Sequence, residues 1–248
     1  MSFDESDIRL AERLATTAGE MLVAIQKNSG LEGAALGKEG DEIANGFLMR
    51  ELRQARPDDA ILSEEEKDSA ERLAVKRVWI VDPLDGTREF GEARSDWAVH
   101  VALAVDGVAT VGAVALPGLG MTLSSGSPLP FPAANVPPRM LVSRTRPASE
   151  ALQVAKAIGA TLMPMGSAGA KAMAVVRGEA DIYLHTGGQY EWDNCAPVAV
   201  AKAAGLHVSR VDGSPLVYNN ADTYLPDLLI CRPEWAERVL ALVQSLND

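Results

Sequence analysis

The spacing of apolar residues changes along the chain, and this change restricts the possible folds more than any other feature of the sequence. Residues 8–25 and 42–55 repeat apolar side chains at intervals of three and four, which predicts two amphipathic helices. Residues 60–124 instead contain short runs rich in Val, Ile and Ala that predict strands, with a two-residue hairpin turn at Asp106-Gly107. Helices followed by such strands indicate an α+β arrangement for this part of the chain.

Residues 125–138 interrupt this pattern. They contain five prolines and few side chains suited to a core, which is typical of a linker or a surface crossing. Beyond them, strands and helices alternate as far as a last helix after Pro233. The sequence therefore predicts an α/β protein in two parts, an N-terminal α+β half over residues 1–135 and a C-terminal α/β half over residues 136–248.

Charge and cysteine content exclude several classes of protein. The chain has 248 residues and a formal net charge of −11, so it lacks the basic surface that a nucleic-acid polymer or an anionic membrane requires. Its two cysteines, Cys195 and Cys231, form neither a metal-ligand pattern nor a disulfide framework. The N-terminus does not resemble a signal peptide, and no uncharged apolar run reaches the ~18 residues of a membrane span. We therefore expect a cytoplasmic protein.

Two carboxylates follow the predicted strand in the string "WIVDPLDGTREF". Asp82 comes directly after the apolar run, and Asp85 lies three residues later. Carboxylates gathered at a strand end repel each other and resist burial unless a cation or water lies between them. Mg²⁺ takes oxygen ligands of this kind. The N–H groups of Gly86, Thr87 and Arg88, at the start of a predicted short helix, would face an anion, so a metal ion and a phosphate can meet here.

An isolated D-x-x-D-G string is more often only a turn and a helix cap. It is not an EF-hand loop, because the twelfth residue counted from Asp82 is Ala93 and not Glu. Two further acidic groups follow other predicted elements, the run from Glu64 to Glu66 after a strand and Asp193 at the start of a helix. Taken singly, these groups would indicate a solvated face and an N-cap.

Together, the strings "SEEE", "WIVDPLDGTREF" and "EWDNCAPVAVAKAAG", in this order and spacing, resemble the inositol monophosphatase superfamily of Mg²⁺-dependent, lithium-sensitive phosphatases. The strings "DWAVHVAL", "VSRTRP" and "GSAGAKAMAVVRGEADIYLH" are most similar to those of its 3′(2′),5′-bisphosphate nucleotidases, in particular the actinobacterial type. The resemblance implies a layered αβαβα sandwich of the sugar and inositol phosphatase type, a homodimer, and an active site in the cleft between the two halves.

The resemblance also implies roles for individual residues. Two or three Mg²⁺ ions would be held by Glu64, Asp82, the Leu84 carbonyl, Asp85 and Asp193. Thr87, aided by Asp41, would activate the attacking water, and Glu65 would lie beside them; around Asp41, "LGKEGDEIAN" replaces the usual V-T-x-x-D string of the family. The substrate would contact Glu64, Leu84, Asp85, Gly86, Thr87, Ser143, Arg144, Gly166, Ser167, Lys171 and Asp193.

Some roles remain open on the sequence alone. Lys171 either supplies a point charge to a second phosphate at a helix N-terminus or lies on the outer face of that helix. His100, in a strand-like run, is expected to be an ordinary structural histidine. The favoured reaction is metal-assisted hydrolysis of the 3′-phosphate of 3′-phosphoadenosine 5′-phosphate or its sulfated form. The alternatives are an inositol phosphate or fructose 1,6-bisphosphate as substrate, and an inactive metal-binding interaction protein.

Overall fold

A computed structural model describes residues 6–131 and 133–247. The elements before residue 125 are α1 (Asp7–Asn28), α2 (Gly33–Ala55), β1 (Ala60–Ser63), a 3₁₀ turn (Ala70–Ala74), β2 (Arg77–Asp85), α3 (Thr87–Gly91), β3 (Ala98–Val105), β4 (Val108–Leu116), a second 3₁₀ turn (Pro117–Leu119) and β5 (Met121–Ser124). Those that follow are β6 (Arg139–Ser143), α4 (Ser149–Ile158), β7 (Thr161–Met165), α5 (Ala168–Val176), β8 (Ile182–His185), β9 (Gln189–Tyr190), α6 (Glu191–Ala203), β10 (His207–Ser209), β11 (Tyr224–Leu225), β12 (Leu228–Cys231) and α7 (Pro233–Asn247).

Two five-stranded sheets form the framework. The first has the order β1-β2-β3-β4-β5, with β1 parallel to β2 and the other pairs antiparallel. Its predicted hairpin is confirmed: Asp106 and Gly107 both have positive φ, at 48° and 79°, as the type I′ turn of a tight hairpin requires. The second sheet has the order β10-β12-β8-β6-β7. Because β6, β7 and β8 run parallel, their carboxyl ends meet at one edge of the sheet.

Alternating side chains of the strands divide the interior into layers. In β2, Trp79 and Val81 pack with α1 and α2, whereas Val78 and Ile80 face the opposite layer, which contains α5 and α6. Alternate residues of β12 likewise separate that middle layer from α4 and α7. The order of layers is therefore helices, sheet, helices, sheet, helices, which confirms the predicted αβαβα sandwich. None of the described helices has the length and apolarity needed to cross a membrane.

The second helix begins nine residues earlier than the apolar spacing predicts, at Gly33 instead of residue 42. Its glycines explain the difference, since they allow α2 to pack closely against the short helix α3. A Cβ atom at Gly37 would lie 2.5 Å from the Thr87 Cγ2, and one at Gly40 would lie 2.9 Å from the Phe90 ring. Tertiary contact thus outweighs the poor helix propensity of glycine, and it brings Asp41 beside the start of α3.

The proline-rich segment 125–138 connects the two sheets, as the sequence predicts for a crossing. Both sheets nevertheless share the middle helical layer, where one hydrophobic cluster joins residues of β2, β4, β8 and β12 with α5 and α6. The division into an N-terminal half over residues 1–135 and a C-terminal half over residues 136–248 stays a prediction.

Candidate active site

A cleft of about 790 Å³ opens where the end of β2 and the start of α3 meet the carboxyl ends of β6, β7 and β8. Most of the residues predicted to contact substrate line it. These are Glu64, Asp85, Gly86, Thr87, Ser143, Arg144, Gly166, Ser167, Lys171 and Asp193. Asp41 and Glu65 line a neighbouring cavity of about 560 Å³ that shares Thr87 and Arg88 with the cleft.

Strand β2 carries the aspartates of the DPLDGT string. Sequence spacing predicts that the strand ends before Asp82, but pairing with β3 continues to Asp85. Asp82 is opposite His100 and Asp85 is opposite Ala98, so the register shifts between the two aspartates. Such an irregularity redirects side chains along a strand. Asp82 is only 1% exposed, and one of its oxygens accepts a hydrogen bond from the Leu84 N–H at 3.0 Å.

Three carboxylates converge near the base of this cleft. Asp82, Asp85 and Asp193 each offer an oxygen, and these oxygens all lie within 4.8 Å of one another. Asp193, in the first turn of α6, also accepts the Tyr190 N–H at 2.6 Å. Burial, together with the charges of neighbouring acids, raises the pKa of Asp82 well above its usual value and that of Asp193 to about 6. This all-oxygen donor set, crowded with negative charge, fits a hard divalent cation such as Mg²⁺.

Glu64 follows β1 at the exposed rim of the cluster. Partial burial of its carboxyl group and the charges of Asp193 and Asp85 raise its pKa to about 7. The structure therefore brings the four predicted acidic ligands to one place along the cleft, although their chain positions span more than half of the sequence. The Leu84 backbone, the fifth predicted ligand, lies between Asp82 and Asp85 on β2.

Asp85 differs from the other acids because it already has strong partners. Its two oxygens accept hydrogen bonds from the first N–H groups of α5, Ala168 at 3.1 Å and Gly169 at 2.6 Å. The His100 Nε2 lies 3.2 Å from the same carboxylate. Burial raises the pKa of Asp85, but the contact with His100 and the Gly169 hydrogen bond outweigh it and leave the pKa lowered. Asp85 is therefore held in its charged form.

His100 was missed as a site residue. It is fully buried on β3, with its Nδ1 3.0 Å from the Trp192 carbonyl oxygen and its Nε2 against Asp85. A Cβ atom at Gly169 would lie 2.0 Å from the same Nε2, so this position requires glycine, which has no side chain. The pairing of β2 with β3 places His100 opposite Asp82 and would have identified it as a site residue. The sequence alone does not give this strand register.

The hydroxyl of Thr87 links the acid cluster to Asp41. Its Oγ1 donates to the Leu84 carbonyl at 3.2 Å, and its side chain also lies beside the Asp41 carboxyl on α2. Burial and the charge of Glu65 raise the pKa of Asp41 to about 7, although the neighbouring Thr87 hydroxyl lowers it. Asp41 is thus suited to gain or lose a proton near neutral pH.

Lys171 is buried, so the alternative that it lies on the outer face of α5 is wrong. Its ammonium donates to the carbonyl oxygens of Gly166 and Ser167, and it lies 5.4 Å from the centre of the Tyr183 ring. Burial lowers its pKa to about 8, although the negative charges of Asp85 and other acids act in the opposite direction and raise it. Ser167 caps α5 by accepting the Ala170 N–H at 2.9 Å.

The sequence is similar to that of known proteins along almost its whole length. The profile of the inositol monophosphatase family matches residues 4–248. The 3′-phosphoadenosine 5′-phosphate phosphatase of Mycobacterium leprae (strain TN) is 47% identical over 256 residues, covering 97% of this chain and 94% of that protein. The 3′(2′),5′-bisphosphate nucleotidase CysQ of Escherichia coli (strain K12) is 30% identical over 197 residues, covering 75% of this chain and 80% of that protein.

Solved structures show the same fold. CysQ from Bacteroides thetaiotaomicron superimposes with a TM-score of 0.79 at 24% identity, covering 93% of this chain and 98% of that one. Inositol monophosphatase-II from Staphylococcus aureus MSSA476 gives a TM-score of 0.78 at 19% identity, covering 94% and 91%.

Proposed function

Because this chain belongs to the inositol monophosphatase family, we propose that it is a Mg²⁺-dependent bisphosphate nucleotidase that removes the 3′-phosphate of 3′-phosphoadenosine 5′-phosphate. Its mycobacterial relatives, 47% identical along almost the whole chain, are named for this activity. The observation that carries the proposal is the convergence of Asp82, Asp85 and Asp193 within 4.8 Å in a cleft large enough for a nucleotide.

The metal ligands would be Glu64, Asp82, the Leu84 carbonyl oxygen, Asp85 and Asp193, holding two or three Mg²⁺ ions. When bound, such ions lower the pKa of a coordinated water and neutralise charge on the attacking and leaving oxygens. The raised pKa values of Asp82 and Asp193 support this assignment, since the first carboxylate is buried, the second is half-buried, and both have too little positive charge beside them.

The remaining groups of the chain position the reactants. We assign the positioning of the attacking water to the Thr87 hydroxyl. The hydroxyl oxygen would take a proton from the water while its own proton passes to the Asp41 carboxylate, and Glu65 would lie beside the pair. The pKa of Asp41, about 7, suits a base that works near neutral pH. The N–H groups of Gly86 and Thr87 would bind the reacting phosphate. Gly86 has a φ of 93°, and a Cβ there would lie 3.0 Å from the Ser167 Cβ, so the turn requires glycine.

The test compares phosphate release from 3′-phosphoadenosine 5′-phosphate, an inositol monophosphate and fructose 1,6-bisphosphate at one saturating Mg²⁺ concentration. We expect kcat/KM for the nucleotide to exceed the other two by at least about tenfold. A higher value for either sugar phosphate would reassign the substrate, whereas no release from any of the three would favour the metal-binding interaction protein. The sulfated nucleotide, a homodimer and a cytoplasmic location remain part of the proposal, and sedimentation of the purified protein tests the dimer.

A further inference from the structure

His100 connects two of the elements that carry the acidic cluster. It lies on β3, directly opposite Asp82 in the pairing of β3 with β2, and it is fully buried. Its Nδ1 lies 3.0 Å from the carbonyl oxygen of Trp192, the residue before Asp193 in the first turn of α6, so this nitrogen donates to that oxygen. Its Nε2 lies 3.2 Å from the Oδ2 of Asp85. One imidazole ring thus spans the space between β2 and α6.

Among residues 6–131 and 133–247, the Nε2 of His100 has no aligned hydrogen-bond partner, although the Asp85 carboxylate lies in contact with it. A buried polar atom in this state costs stability, and buried polar groups in proteins are paired as a rule. A histidine that served only the stability of the core would be expected to pair both of its nitrogens. The state of the Nε2 therefore indicates a role at the carboxylate that it faces.

The contact with His100 falls on one particular oxygen of Asp85. Oδ2 accepts the Gly169 N–H at 2.6 Å and also faces the imidazole, whereas Oδ1 accepts the Ala168 N–H at 3.1 Å. Each carboxylate oxygen has two lone pairs. Oδ2 is therefore the more crowded oxygen, and Oδ1 keeps a lone pair that a cation can use. The imidazole thus helps to decide which oxygen of Asp85 is available as a ligand.

Close packing holds this ring in place. A Cβ atom at Gly169, in the first turn of α5, would lie 2.0 Å from the Nε2 of His100. A Cβ atom at Gly112, on the neighbouring strand β4, would lie 2.5 Å from the Ala196 carbonyl oxygen of α6. These two glycines let both helices approach the sheet closely, and side chains packed at such density change orientation only when their neighbours move. His100 is therefore a rigid link and not a mobile one.

We propose that His100 is a positioning residue of the metal site. It ties Asp85, at the end of β2, to the turn of α6 that carries Asp193, and so fixes these two carboxylates at the separation at which they share a divalent cation. Groups that contact metal ligands from outside orient those ligands, and their loss weakens metal affinity by about tenfold to a hundredfold. The inference rests on the proposed function, because it concerns the same cation site.

The test measures binding of Mg²⁺ to the substrate-free protein by calorimetry, at one pH, for wild type and three variants. The amide of His100→Asn can still donate to the Trp192 carbonyl but does not reach Asp85, so we expect the Mg²⁺ affinity to fall by about tenfold to a hundredfold. The longer side chain of His100→Gln can donate to Asp85, and this variant should bind Mg²⁺ at least about threefold more tightly than the Asn variant. The matched control is His207→Asn, which changes a half-buried histidine on β10 and should leave the affinity unchanged.

Thermal unfolding in EDTA separates positioning from a purely structural role, which would change the melting temperature of the metal-free variants and leave the Mg²⁺ affinity of the folded protein unchanged. An Asn variant that binds Mg²⁺ within about threefold of wild type, or a Gln variant that binds it no more tightly than the Asn variant, would overturn the role of His100. If wild type bound Mg²⁺ but released no phosphate from 3′-phosphoadenosine 5′-phosphate, the proposed function would be wrong, and these affinities would still decide whether His100 positions the cation site.

Discussion

Asp82 shows how a single residue can serve function at the expense of folding. Its carboxylate is 1% exposed and accepts one hydrogen bond, from the Leu84 N–H, while Glu64, Asp85 and Asp193 place further negative charge around it. Without a cation, this arrangement disfavours the charged form and therefore the folded state at neutral pH. Stability and activity are thus expected to respond in opposite directions when this charge is removed.

Replacing Asp82 with Asn tests this opposition. With Mg²⁺ present, turnover should fall by more than about a hundredfold, because a metal ligand is lost. In EDTA, the melting temperature should instead rise by about 2–4 °C, because one buried negative charge is removed from a crowded site. Phosphate release and thermal unfolding of the same preparation measure both effects. A variant that retained activity, or that was less stable than wild type in EDTA, would contradict the assignment of this residue to a cation.

Lys171 makes a contrasting prediction, since its buried ammonium donates to two backbone carbonyl oxygens of the site. In Lys171→Met the Gly166 carbonyl loses the ammonium that donates to it, and we expect a loss of about 1–3 kcal/mol in the free energy of unfolding. The control is Lys202→Met on the exposed side of α6, where a change within about 0.5 kcal/mol is expected. Urea unfolding of both variants measures the difference; equal effects would remove the structural role of Lys171.

At the scale of elements, local sequence predicts what depends on neighbouring residues. The end of α2 at Ala55 and the Asp106-Gly107 turn follow from apolar spacing and turn chemistry, and both are found. The start of α2 does not follow from local sequence. Gly37 and Gly40 at this end are favoured by their close contact with α3, which lies some fifty residues away in the chain. The two-residue strands β9 and β11 were missed for a similar reason, since each is defined by its pairing with the other.

The same distinction applies to the site. The acids were found because a compact string, DPLDGT, together with two other acidic strings, resembles a known family. His100 was not, because its significance lies in a partner that is distant in the sequence: it gains a role from contact with Asp85. The sequence shows which residue types are present, but it does not show which side chains contact each other.

Gly169 tests the contact between α5 and β3. In Gly169→Ala, the added Cβ would lie 2.0 Å from the His100 Nε2, so the histidine or the helix must move. We expect a loss of about 1–3 kcal/mol in the free energy of unfolding, together with lower activity because Asp85 is held by both elements. The matched control is Gly46→Ala on α2, where no atom lies within 4 Å of the added Cβ. This variant should gain about 0.5–1 kcal/mol from reduced chain entropy. Equal outcomes for the two variants would exclude a tight α5–β3 contact.

At the scale of the whole molecule, the fold concentrates negative charge in a protein that is already acidic. Acids that follow β1 or lie on α2 and α6 converge in or beside one cleft, and their pKa values are all raised: to about 7 for Asp41, about 7 for Glu64 and about 6 for Asp193. Each value lies above that of the unfolded chain, near 4. These groups therefore favour the folded state only while they hold their protons.

The stability of the metal-free protein should depend on pH with a definite sign. The contribution of these three groups is fully present below about pH 4 and is lost as pH rises through their folded pKa values of about 6 to about 7. In EDTA the melting temperature should thus fall between about pH 5 and about pH 8. When the pH is lowered below about 4, the melting temperature should also fall, because acids with lowered pKa values, such as Asp85 and Asp7, become protonated.

Magnesium should reverse the loss at high pH, because the ion binds the deprotonated acids. At 100 times its dissociation constant, a ligand adds about 2.7 kcal/mol, which for a chain of this size corresponds to a rise of about 5–10 °C in melting temperature. The rise should be large at about pH 8 and small at about pH 5, where protons compete for the same oxygens. Sodium chloride at matched ionic strength is the control for screening between surface charges. If Mg²⁺ raised the melting temperature equally at both pH values, or no more than the salt control, the acids that converge in this cleft would not form a cation site.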